Sequence, residues 1–105
     1  MTEVIETGED IMKALAEIRD PLRALGIRRL GLFGSFVRGE QRPTSDIDIL
    51  VEFQPGQKTF DHFMQACCLL EDLLHRRVEL VTPESLSPHI RPRIVEEAKY
   101  VPVAA

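Results

Sequence analysis

Asp46 and Asp48 stand one residue apart at the head of an otherwise apolar run that continues Ile49-Leu50-Val51. No other feature of the chain constrains its fold as much. Branched apolar residues favour strands, whereas aspartate is depleted in them. The run therefore predicts a strand over Ile47 to Phe53 that opens on carboxylates kept against propensity. Side chains alternate across a strand, so residues two apart share a face. Two neighbouring carboxylates repel, and one tends to hold a proton. A bound dication removes that conflict, and hard oxygen ligands suit magnesium, which uses one or two carboxylates plus phosphate oxygens. Taken alone, the pair also fits a turn cap followed by a solvent-facing edge residue.

A second feature lies just upstream. Leu30 to Phe33 reads as a short buried strand that stops at Gly34-Ser35 and feeds a helical turn. Glycine lets backbone approach a ligand closely. Free N–H groups at the start of a helical turn point at an anion, and Ser35 adds a hydroxyl. A lone Gly-Ser is more often a plain turn. Here, however, a phosphate cradle and a dicarboxylate fall on adjacent predicted strands joined by one short crossover, with ten residues between Ser35 and Asp46. Arg38, three residues past Ser35, is placed either to reach phosphates or to brace the aspartates. Ser45 is placed to orient Asp46 through a local hydrogen bond.

The rest of the chain reads as a small α/β unit. Thr7 and Asp10 have capping-box spacing ahead of a helix whose apolar face is Ile11, Leu15 and Ile18. Asp20-Pro21 predicts a short second helix from Pro21 to about Ala24, with Asp20 as its cap, ending at Gly26. Gln54-Pro55-Gly56-Gln57 is a turn. Phe60 to Leu74 is a helix with Phe60, Phe63, Met64, Cys67, Leu70, Leu73 and Leu74 on its core side. Val78 to Val81 is a third strand. A last helix begins at Pro88 or Pro92 and runs to about Ala98, and Tyr100 to Ala105 is a tail. The order implies one domain over residues 1–105, an α/β sandwich on a small mixed sheet.

Composition excludes several classes. With 105 residues, a net charge of -4 and 44% hydrophobic residues, the chain suits one small core. Its charge does not suit a protein that coats nucleic acid. The arginine pairs Arg28-Arg29, Arg38 with Arg42, Arg76-Arg77 and Arg91 with Arg93 read as solvated surface, or locally as anion sites. Cys67 and Cys68 are adjacent and lie in an apolar helical stretch, so both read as core or semi-buried thiols in a reduced, cytoplasmic setting. Met1 to Asp10 is polar and does not resemble an export signal. No apolar run is long enough to span a membrane. His62, His75 and His89 are scattered without ligand spacing.

Gly31-Leu32-Phe33-Gly34-Ser35-Phe36-Val37-Arg38-Gly39-Glu40, followed by Ser45-Asp46-Ile47-Asp48-Ile49-Leu50-Val51-Glu52-Phe53, resembles the minimal nucleotidyltransferase (MNT) family of the polymerase-β-like superfamily. The shared signature is Gly-Ser, ten residues, then Asp-x-Asp. The likeness extends to Gly26 through Leu30, to Arg77 through Thr82, and to Ile90-Arg91, Ile94 and the Glu97-Ala98-Lys99-Tyr100-Val101 ending. It implies a minimal polymerase-β-like core, ATP as substrate and two Mg2+ ions. It also implies a third carboxylate on the later strand, at Glu79. Many relatives have aspartate there, and the longer glutamate bears on turnover more than on nucleotide binding.

The resemblance implies a catalytic and metal-binding set of Asp46, Asp48 and Glu79, with Gly34, Ser35, Arg38 and Ser45 toward the nucleotide. It further implies an antitoxin that adenylylates a tyrosine of a HEPN-domain ribonuclease toxin, forming a hetero-oligomer with it. No direct contact with nucleic acid or membrane is expected. Two alternatives stay open. One is an antitoxin that works by binding alone, with a slow or vestigial nucleotide site. The other is a transferase acting on a small molecule.

Overall fold

The computed structural model describes residues 5–104. The polar opening segment read above as no export signal lies partly outside them, as does Ala105. Four strands form one sheet in the order β3-β2-β1-β4. They are β1 (Ile27–Phe33), β2 (Ile47–Phe53), β3 (Val78–Val81) and β4 (Lys99–Pro102), and the helices are α1 (Gly8–Glu17), α2 (Arg19–Ala24), α3 (Ser35–Arg38), α4 (Phe60–Leu74) and α5 (Arg91–Glu97). β1 runs antiparallel to both β2 and β4, while β2 and β3 are parallel. A parallel pair needs a long crossover, and α4 supplies it. The expected small mixed sheet packed against helices is what the chain forms.

Alternation along the strands separates core from chemistry. Ile47, Ile49 and Val51 of β2 join Leu30 and Leu32 of β1 and Val78 and Leu80 of β3 in one buried cluster with Ile11, Leu15, Leu22, Ala66, Leu70 and Leu74 of the helices. The residues between them, Asp48 on β2 and Glu79 on β3, therefore point to the other face. Burying one face of β2 sets its register, because a slip of one residue would drive Asp48 into the core.

Local signals account for the helix ends. The Thr7 hydroxyl accepts from the Asp10 N–H at 3.2 Å, and the Asp10 carboxylate accepts from the N–H groups of Thr7 and Glu6, both at 3.0 Å. These backbone bonds, that from Glu6 foremost, hold the Asp10 carboxyl below its ordinary pKa. Thr59 caps α4 by accepting from the His62 N–H, and α4 closes on His75 in the left-handed region at φ 53°.

Four expectations need correction. α2 begins at Arg19, so Asp20 is not its cap but pairs with Arg23 at 3.1 Å inside the helix. β1 begins at Ile27, three residues earlier than the apolar run suggests, because Glu52 opposite accepts from both Arg28 and Arg29 at 2.8 Å. On α4, Phe60 and Met64 face outward, at 78% and 43% exposure, and the buried stripe is Ala66, Leu70 and Leu74. The segment read as a tail is largely β4, whose Tyr100 and Val101 pair with Gly31 and Leu30. Gly31 makes this possible, since a Cβ there would meet the Tyr100 ring. Arg29 stacks over the same ring, 3.9 Å from its centroid.

Candidate active site

The site forms where β1 ends. Gly34 has φ 82° and ψ -152°, a conformation open to glycine and strained for other residues. It turns the chain from β1 into α3, placing Ser35 at the first helical position. The carbonyl of Gly34 receives the N–H groups of Val37 and Arg38. A second constraint acts on Gly34: any Cβ would collide with the Asp48 carboxylate. The turn is thus in contact with Asp48, as the ten-residue spacing implied.

Asp48 sits opposite Phe33 on one side and Glu79 on the other. Its carboxyl is pushed up from 3.8 to about 6. Burial is the largest cause, followed by the Glu79 charge, a hydrogen bond shared with Glu79, and the Asp46 charge. Asp48 thus lies beside Glu79 and within reach of the Asp46 charge. Asp46 precedes β2 and is exposed, Asp48 is half-buried, and Glu79 is exposed on β3. Yet among the described residues no three His, Cys, Asp or Glu side chains are grouped so that they could hold a metal ion, so the three expected ligands are neighbours and not a gathered set. This arrangement fits a magnesium ion that keeps water and phosphate oxygens in its shell. The proton that Asp48 tends to hold marks the position where a cation would relieve repulsion.

The loop before β2 is braced from below. Ser45 Oγ accepts from the Arg42 N–H at 2.8 Å, so the hydroxyl closes that loop and does not bond Asp46 as expected. Arg76 donates to the carbonyls of Pro43, Ser45 and Ile5 and lies over the Phe36 ring. The Arg76-Arg77 pair, read as a surface or anion site, thus contributes one structural brace. Arg38 pairs with neither aspartate. Its Nε donates to Glu40 and its Nη1 to Glu97, at 2.6 and 2.9 Å, and both bonds raise its pKa. Glu97 also accepts from the Gly34 N–H at 3.0 Å, the main reason its carboxyl lies below the ordinary value.

A cavity of about 500 Å³ is lined by Gly34, Arg38, Asp48, Glu79, Arg93 and Glu97 among others, while the expected site residues Ser35, Ser45 and Asp46 do not line it. That volume suits a small-molecule ligand. A second cavity of about 540 Å³ lies beyond Glu79, between Asp46, Arg77, Phe63 and Cys67. Glu79 borders both. Sequence reasoning did not single out Glu97 or Arg93 for the site. Glu97 lies 63 residues from Gly34 and 59 from Arg38, and no local pattern could have linked them. His62, His75 and His89 line neither cavity. Cys67 and Cys68 are free thiols; Cys67 is partly buried as expected, but Cys68 is exposed, because the next position round the helix turns away from the core stripe.

Comparison with known proteins places the chain in a family. A family model described as a nucleotidyltransferase domain matches residues 11–101. The protein adenylyltransferase MntA of Thermococcus cleftensis is 40% identical over 96 residues, spanning 90% of this chain and 96% of that protein. A solved structure described as a minimal nucleotidyltransferase superposes with a TM-score of 0.68 at 34% identity, covering 84% of this chain and 93% of that one. A chain from a toxin–antitoxin structure with AMP-PNP superposes with a TM-score of 0.63 at 26% identity, over 89% and 71%. A strand-to-helix glycine turn in contact with paired carboxylates, on this fold and with these relatives, identifies the chain as an enzyme of the minimal nucleotidyltransferase type, belonging to the nucleotidyltransferase domain family.

Proposed function

We propose that the protein is an antitoxin that transfers AMP from ATP to a tyrosine hydroxyl of a cognate HEPN-domain toxin, in a magnesium-dependent reaction. The observation that carries this reading is the cavity shared by Gly34, Arg38 and the Asp48–Glu79 pair. The relative named protein adenylyltransferase supports transfer to protein. The toxin–antitoxin neighbour with AMP-PNP supports both the nucleotide and the setting. The tyrosine and the HEPN partner come from the sequence resemblance.

Each residue has a role in this reading. The Ser35 hydroxyl and the N–H groups at the start of α3 receive the phosphates, and Arg38 presents a fixed cation beside them. Asp46, Asp48 and Glu79 would hold Mg2+, which when bound neutralises phosphate charge and lowers the pKa of an oxygen ligand. Glu79, which borders both cavities, takes the acceptor proton in this reading as the hydroxyl oxygen bonds the α-phosphorus. The bond from that phosphorus to pyrophosphate breaks, and pyrophosphate leaves toward Gly34 and Arg38. Little covalent chemistry falls to the protein, so positioning and electrostatics carry the rate.

The test is transfer of label from [α-32P]ATP to the neighbouring HEPN protein with magnesium present. Label on the partner that disappears with Asp46→Ala plus Asp48→Ala supports the reading. Absence of label with the wild type, while the toxin is still neutralised, would replace it with neutralisation by binding alone.

A further inference from the structure

Helix α5 walls the nucleotide cavity but carries no buried side chain. Val95 on it and Ile90 at its start are 36% and 44% exposed. Apolar packing is therefore a weak anchor for this wall, and polar ties must hold it. At its start, Arg91 donates to the carbonyls of Pro83 and Leu86. Beyond its end, the Tyr100 hydroxyl donates to Val95 O. Neither tie touches the phosphate-binding turn. Glu97 does: one carboxylate oxygen accepts from the Gly34 N–H and the other from Arg38 Nη1.

We propose that Glu97 is a positioning residue for the nucleotide, locking the Gly34 turn and the Arg38 guanidinium to the helix that walls the cavity. The proposal rests on the reading that this cavity takes a triphosphate. An exposed arginine samples many rotamers, and ordering it on binding costs affinity. Here Glu40 and Glu97 hold two of its three nitrogens, while Nη2 makes no hydrogen bond among the described residues. The cation is thus set before a ligand arrives. The Gly34 N–H, at a residue with φ 82°, is held by the same carboxylate. Arg93 lines the cavity too and offsets the Glu97 charge that would otherwise repel a phosphate.

The experiment measures AMP-PNP binding with Mg2+ by calorimetry and α5 amide exchange in the same proteins. Glu97→Ala is expected to raise the Kd about tenfold and to speed exchange at Ile94 to Ala98. Glu97→Gln can still accept from Gly34 N–H and should fall between, which also covers the case where Glu97→Ala does not fold. Because Glu97 acts partly through Arg38, its effect should shrink clearly in an Arg38→Ala background. Faster exchange with an unchanged Kd would reduce Glu97 to a structural tie and overturn the proposal. Tighter binding would overturn it differently, by showing that Glu97 competes with phosphate for the same donors. If the wild type binds no AMP-PNP, the nucleotide reading itself falls; if it binds and only the variants fail to differ, this inference alone falls.

Discussion

Replacing Asp48 with asparagine should make the nucleotide-free protein more stable at neutral pH while abolishing transfer. The Asp48 carboxyl is raised from 3.8 to about 6 by burial and by Glu79 and Asp46. A group whose pKa is raised on folding favours the fold fully only below its unfolded value. That contribution disappears as pH climbs through the folded value. Above pH 6, then, the native protein carries an ionised Asp48 that the unfolded chain holds more comfortably. One pH unit corresponds to about 1.4 kcal/mol, so the whole difference is about 3 kcal/mol. Asp48 is only half-buried, and solvent screening reduces this to about 1–2 kcal/mol. Asparagine has the same shape, carries no charge and can donate to Glu79 as the protonated acid does. Urea denaturation of wild type and Asp48→Asn in magnesium-free buffer should show the variant ahead by that amount at pH 7.5. The two should converge near pH 4. An equal or less stable variant at pH 7.5, or an advantage independent of pH, would refute the claim that the carboxylate cluster is strained without a cation.

Three other outcomes follow from the same geometry. Gly34→Ala should cost about 1–3 kcal/mol, because it combines a left-handed φ with a Cβ directed at Asp48. It should also lose AMP-PNP binding, as read by calorimetry beside a melting curve. Glu79→Ala should leave AMP-PNP binding within a few-fold but slow transfer by about 10²–10⁴ if the carboxylate takes the acceptor proton; equal losses of binding and transfer would assign it to the nucleotide alone. Ile49→Ala, in the fully buried centre of β2, should cost about 2–5 kcal/mol in denaturant without displacing Asp48 to the other face.

The elements that carry the candidate site were legible because their signals are short-range. Gly34-Ser35 and Asp46-Ile47-Asp48 are each read within a few residues, where glycine freedom and strand alternation leave little choice. The helix over Phe60 to Leu74 and the strands Ile47 to Phe53 and Val78 to Val81 were legible for the same reason, since periodicity reports on neighbours. Phe60 and Met64 show where that logic stops: an apolar residue at helical spacing need not face the core.

The sequence by itself determined the strand that carries the aspartates and the glycine turn ahead of it, because each depends on backbone preferences and side-chain alternation a few residues long; the class of chemistry was read from the family resemblance that those residues carry. Only the tertiary structure decided that the last segment becomes β4, that Ser45 serves its loop and not Asp46, that Arg38 turns to Glu40 and Glu97, and that Glu97 reaches back across 63 residues to Gly34. Those partners are chosen by the packing of distant elements, and a carboxylate's partner across the fold has no periodicity to announce it.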